Sequence, residues 1–181
     1  MPGAVRRDAL IVLASFVVLG LLCGVLWSQV VTPAEFTRLP DGGAMGEDDL
    51  GKRFGADGWF IAIGATAGLV AGLVLSWWRS RDPVLTSGLL VLGSVVAAAL
   101  MAVVGHLLGP GDPQAALEAA KAGERVPEQL DVGVAPLWPL SAYLKDSLTT
   151  YLAWPVGVLA GALLVLLGRP LAREERAHDD R

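Results

Sequence analysis

WFIAIGATAGLVAGLVLSWW, residues 59–78, runs for 20 residues without a charge. A helix needs roughly 20 predominantly apolar residues to cross the hydrocarbon core of a bilayer. Three more stretches, Ala9–Val31, Val84–Leu108 and Leu148–Gly168, are 23, 25 and 21 residues long and contain no Asp, Glu, Lys or Arg. The 14 basic and 18 acidic residues lie almost wholly between and beyond these runs. A soluble domain would instead interleave polar and apolar residues at helical or strand spacing. The reading is an all-α polytopic membrane protein with four transmembrane helices.

Composition supports a single membrane domain over residues 1–181. The chain is 54% hydrophobic, and what lies outside the four spans is too thin for a second core. One cysteine excludes an internal disulfide, and with two histidines it makes no Cys/His metal cluster. Cys23 lies inside the first span; Leu22 before it is wrong for lipoprotein cleavage, so it is read as a small buried hydrophobe. Arg6 and Arg7 precede the first span as in a signal peptide, but that span exceeds the 7–15 residues of an h-region. An uncleaved first helix is expected.

Orientation follows from where Lys and Arg sit near span ends. Arg6, Arg7, Arg79, Arg81, Arg169 and Arg173 cluster on one side, whereas only Lys52, Arg53 and Lys145 come close on the other. The loops 32–58 and 109–147 each carry a net charge of −3. Both termini and the tail 169–181 are therefore placed in the cytoplasm, and the two acidic loops outside an inner or plasma membrane. Trp27, Trp59, Trp138 and Trp154 fall near the outer ends and Trp77 and Trp78 at an inner end, which reads as an interfacial aromatic belt.

Small residues recur at four-residue spacing: Gly64, Gly68 and Gly72 on span two, Gly157 and Gly161 on span four, Gly20 and Gly24 on span one. Such stripes let helix backbones approach closely in lipid, where no hydrophobic drive joins them. Packing within the bundle is preferred over self-association. Pro155 early in span four allows two arrangements: a separate interfacial segment over 135–148, or an earlier span start with a kink at Trp154-Pro155.

In the loops, Asp112-Pro113, an alanine-rich body to Ala122 and Gly123 predict a short capped helix, with Glu118 and Lys121 placed to pair. Thr32-Pro33-Ala34-Glu35 fits a capping box. The glycine-rich stretch Asp41–Asp57 is expected to be irregular and mobile.

Chemical motifs are sparse. Glu47-Asp48-Asp49 lacks the spacing of a calcium loop and reads as a solvated acidic run. His106, at the outer end of span three, is the one ionisable residue close to membrane depth, read first as an interfacial hydrogen-bonding group and second as a sensor of external pH. Asp57, His106 and Asp146 form a speculative outer-face polar cluster, but no nucleophile accompanies them. No catalytic residue, cofactor or metal is assigned. Membrane lipid is the expected partner, with a second copy or another membrane protein beside it, and no nucleic acid.

Gly55-Ala56-Asp57-Gly58-Trp59-Phe60, the glycine-striped span and Trp77-Trp78-Arg79-Ser80-Arg81-Asp82-Pro83 resemble a family of uncharacterised actinobacterial four-helix membrane proteins. The similarity is best from about Asp49 to Gly109, with a fainter echo over Ala135–Pro155. It implies topology and taxonomic range, and carries over no catalytic residue. The expected role is a non-enzymatic structural or accessory subunit. The alternatives are a permease-like component for an apolar or lipid-like substrate, and an enzyme acting on lipid-linked substrate at the outer face.

Overall fold

The computed structural model describes residues 2–78, 83–132 and 148–179. Its elements in chain order are α1 (Pro2–Val30), β1 (Glu35–Leu39), β2 (Gly42–Met45), α2 (Glu47–Trp78), α3 (Pro83–Leu108), α4 (Pro113–Ala119), β3 (Arg125–Pro127), α5 (Leu148–Tyr151) and α6 (Ala153–Asp179). Four stretches are long and apolar enough to cross a membrane; they fall on α1, on α2, on α3, and on α5 with the first part of α6.

The helices form two closely packed pairs, α2 with α6 and α1 with α3, which α3 joins by packing on α6. The contact of α1 with α2 is much smaller. Glycine sets both pairs. A Cβ on Gly68 would lie 2.6 Å from the Trp154 carbonyl oxygen, and one on Gly72 would collide with the Val158 carbonyl. From the other side, Gly157 faces the Ala65 carbonyl and Gly161 the Leu69 carbonyl, again too close for a side chain. In the α1–α3 pair, Gly20 faces Ala97, while Gly93 and Gly105 leave room for the rings of Phe16 and Trp27. Backbone contact of this kind multiplies small dispersion gains along a seam.

Two tryptophans depart from the belt reading. Trp27 and Trp154 are fully buried. Trp27 donates its indole N–H to the Ala56 carbonyl, 2.9 Å away on α2, and meets Phe60 edge-on at 5.3 Å. Trp154 lies over Gly64, and its indole N–H has no hydrogen-bond partner among the described residues. Trp59, Trp77 and Trp78 are exposed; Trp138 lies outside the described residues.

One end of the bundle carries a cap that an all-α reading omits. β1 is the central strand of a three-stranded antiparallel sheet, paired with β2 on one side and β3 on the other. Pro40 and Asp41 make the β1–β2 turn, with Leu39 opposite Gly42, whose φ of 146° suits glycine. The Thr32–Glu35 capping box does not form, because Glu35 opens β1 and its carboxylate pairs with Arg125 across the sheet at 3.1 Å. The stretch 41–57 is not irregular: it supplies β2 and the first three turns of α2. Glu47, Asp48 and Asp49 occupy the first turn of that helix, where the N-terminal end of the dipole favours carboxylates.

α4 has the expected cap, with the Asp112 carboxylate accepting from the Gln114 N–H at 2.9 Å. It stops at Ala119, short of Ala122, because Ala120 is extended and Gly123, at φ 85°, serves a turn that leads into β3. The Glu124 side chain takes the Lys121 N–H at 2.9 Å within that turn. At the fourth span the break falls at Leu152, and Pro155 stands in the first turn of α6, where a backbone N–H has no intrahelical partner. The segment 135–147 lies outside the described residues. Beyond Gly168, α6 continues as backbone to Asp179.

Gly72→Ala and Gly161→Ala are each expected to lower stability by about 1–3 kcal/mol through overpacking. Gly55→Ala, with nothing within 4 Å of its added Cβ, should instead raise it by about 0.5–1 kcal/mol. Unfolding in detergent, followed by circular dichroism, separates the two directions.

Candidate functional site

The residues Glu128-Gln129-Leu130-Asp131, just after β3, clasp three parts of the molecule. The Glu128 N–H donates to the Ala34 carbonyl at 2.7 Å, fixing the segment to the chain leaving α1. The Glu128 carboxylate pairs with the Arg53 guanidinium of α2 at 2.9 Å. On the α3 side, His106 Nδ1 lies 2.7 Å from Asp131 Oδ1 and its Nε2 lies 3.1 Å from the Gln129 amide nitrogen. Leu130 is buried, its Cβ only 2.7 Å from where a Gly109 side chain would begin.

Both imidazole nitrogens thus have a side-chain partner on the 129–131 segment, and the ring anchors that segment to α3. Both nitrogens being taken, none remains to bond Asp57, which lies on α2 one turn beyond Arg53; Asp146 is outside the described residues. His106 is thus joined to Asp131 and Gln129, residues the sequence reading did not single out. Among the described residues no group of three or more His, Cys, Asp or Glu side chains is placed to hold a metal ion.

A second polar contact sits at the start of α2. Asp49 is buried and accepts from Lys52 at 2.7 Å. That hydrogen bond, aided by the Lys52 charge and the Glu35 N–H, holds its carboxyl below the usual aspartate range against the opposing cost of burial. Glu128 shifts the other way: burial pushes its carboxyl up, Asp131 adds to the rise, and Arg53 opposes it.

The second candidate feature is apolar. A groove of about 640 Å³ runs along the seam of α1 and α2, from Trp59 at the cap end to Trp78 at the other. Ala62, Thr66 and Ala67 of α2 and Ser15, Leu19 and Cys23 of α1 line its middle. The Ser15 hydroxyl donates to the Ile11 carbonyl of its own helix at 2.8 Å, so it offers the groove no free donor. The glycines Gly64, Gly68 and Gly72 face α6, and Gly157 and Gly161 face α2.

Comparison with known protein families, with characterised proteins and with solved structures finds no match for this chain.

The two shifted carboxyls give opposite pH responses. A raised folded-state value for Glu128 means that folding takes up a proton, so its contribution to stability grows as pH falls through the range just above the ordinary glutamate value of about 4.3. Asp49, with a lowered value, stabilises the fold above the ordinary aspartate range and loses that contribution as pH falls below about 3.9. Melting curves between pH 6 and 3 should therefore show the wild type gaining on Glu128→Gln from pH 6 to about 4.3, and losing ground to Asp49→Asn below about 3.9.

Proposed function

We propose that this chain is a four-span inner-membrane protein with both termini in the cytoplasm and the sheet-bearing cap outside, working as a non-enzymatic structural or accessory subunit. The four helices long and apolar enough to cross a membrane support the first part. The arginines near the opposite ends of the spans support the orientation. The observation that carries the accessory role is the clasp, which holds the cap in fixed register to α2, α3 and the exit of α1. A rigid cap presents a defined outer surface to a partner, whether a second copy or another membrane protein. Within it β2 lies at the edge of the sheet, and edge strands are templates for pairing.

The glycine stripes are engaged inside the bundle, so partner contact is assigned to the cap rather than to them. The resemblance to actinobacterial four-helix proteins adds only topology and taxonomic range. The second reading, a permease-like component for an apolar or lipid-like substrate, is favoured by the groove along α1 and α2. An enzyme using Asp57, His106 and Asp146 has weaker support, since His106 is fully engaged in the clasp.

Reporter fusions at residues 45 and 120 are expected to read outside, and fusions after the last residue inside. A photo-crosslinker at Ala44 on β2 should capture a discrete partner band in intact cells, while one at Val95, on an exposed apolar face of α3, should not. Reporters at 45 or 120 reading cytoplasmic, or recovery of only the uncrosslinked monomer, would count against this role.

A further inference from the structure

We propose that the free edge of β2 is a strand-docking site for a cationic, extended segment of another protein, held by backbone hydrogen bonds to Gly43 and Met45. The proposal rests on the accessory reading above and gives its partner a chemistry. It starts from where the backbone groups of the sheet point. The Arg38 N–H donates to the Glu124 carbonyl and the Arg38 carbonyl accepts from the Gly123 N–H, so Arg38 is turned toward the β3 side. Backbone groups alternate in direction along an antiparallel ladder, so Thr37 and Leu39 are turned toward β2. Their partners there are Ala44 and Gly42. Gly43 and Met45 therefore direct their N–H and C=O groups away from the sheet, and no described residue takes them.

The two edges of the sheet are not alike. On β3 the outward residues are Arg125 and Pro127, because Val126, opposite Phe36, is turned toward β1. A proline without an N–H and a charged side chain both guard an edge against pairing. β2, Gly-Gly-Ala-Met, has neither, and its register with β1 runs without a bulge. An extended backbone is what matches the spacing of such donors and acceptors.

Charge chooses which strand. Asp41 lies just before β2, and Glu47 and Asp48 lie just after it; all three are exposed. None has a hydrogen-bond or ion-pair partner among the described residues, whereas Asp49 is tied to Lys52 and Glu35 to Arg125. Arg38 stands across from Gly43, one strand in from the edge. β2 spans only about 10 Å, so carboxylates bracket both ends of the open edge. A second copy docked edge to edge would set like charges against one another at those ends. A segment with Lys or Arg beyond each end of an uncharged core meets the opposite sign instead. Gly43 adds a preference of shape. It has no side chain, and Leu117 of α4 lies 3.0 Å from where one would begin, so a bulky apolar residue opposite Gly43 has a surface to rest on.

The test is titration of the purified full chain, in nanodiscs of zwitterionic phosphatidylcholine, with the end-blocked fluorescent peptide KKTVTVKK. Saturable binding is expected, weakened on the order of tenfold when Asp41→Asn, Glu47→Gln and Asp48→Asn are combined. The acidic peptide EETVTVEE should not bind. KKTVTVKK N-methylated through its Thr-Val-Thr-Val core keeps its charge and loses its donors, and should bind at least about tenfold more weakly. Met45→Pro removes one outward N–H where an edge tolerates proline, and should weaken binding by about two- to tenfold. In NMR spectra the Gly43 and Met45 amides should exchange more slowly with peptide bound, while Gly42 and Ala44 stay as they were. Equal binding of the N-methylated peptide would leave charge attraction alone and overturn the proposal. Equal binding of the acidic peptide, no binding, or a homodimer captured by the Ala44 photo-crosslinker in purified protein would overturn it as well. Should Met45→Pro unfold the cap, the N-methylated peptide makes the same comparison on the unaltered chain. Failure of the accessory role is distinguishable: if no peptide binds yet the Ala44 photo-crosslinker captures a discrete partner in cells, that role stands and only the partner's chemistry falls.

Discussion

The contact on which the rest of the molecule depends is the backbone-to-backbone seam of α2 and α6. Gly68 and Gly72 from one side and Gly157 and Gly161 from the other bring carbonyls to within side-chain distance of the opposite helix. Trp154 and Val158, both fully buried, fill what the glycines leave open. This seam determines which face of α2 is used internally, and so which face is left toward α1. The same α2 then supplies the Ala56 carbonyl that receives Trp27, and Arg53, which receives Glu128. Bundle, groove and cap are thus three consequences of one helix's placement.

The two ends of the molecule are built on different physics. In the apolar part, order comes from shape: glycine against carbonyl, and glycine against aromatic ring, with few polar atoms to orient anything. At the cap end, order comes from charge-assisted hydrogen bonds near water, where their net value is modest singly. Arg53 with Glu128, His106 with Asp131 and Arg125 with Glu35 gain from acting on a segment already pinned by the Ala34 carbonyl and by buried Leu130. The opposite shifts of Asp49 and Glu128 follow from this: one carboxyl has a lysine in direct hydrogen bond, while for the other burial outweighs its arginine.

The four long apolar helices were legible from composition alone, because a run of some 20 uncharged residues needs no knowledge of its neighbours. The cap was not. Its strands are five, four and three residues long, too short for a period-two pattern to register against the glycines around them. Glu47-Asp48-Asp49 read as a solvated loop, although acids just after Gly46 also suit the start of a helix. His106 stands out in the sequence but its partners do not, since Asp131 and Gln129 lie 25 and 23 residues away and no spacing rule connects them. Trp27 and Trp154 sit where a belt would place them, yet Gly105 and Gly64 on other helices make pockets for their rings. That pairing exists only in three dimensions.

The unbroken length of α2 has a mechanical consequence. The helix runs from Glu47 to Trp78, and its apolar seam and its cap contacts lie on one stiff rod. A tilt of ten degrees about Gly68 would swing Asp49, about 28 Å away, through about 5 Å, more than any hydrogen bond can stretch. Leaning this lever requires Arg53 to release Glu128 and Lys52 to travel with Asp49 away from the sheet. The inclination of α2 and the grip of the loop that follows β3 are therefore one variable, readable from either end.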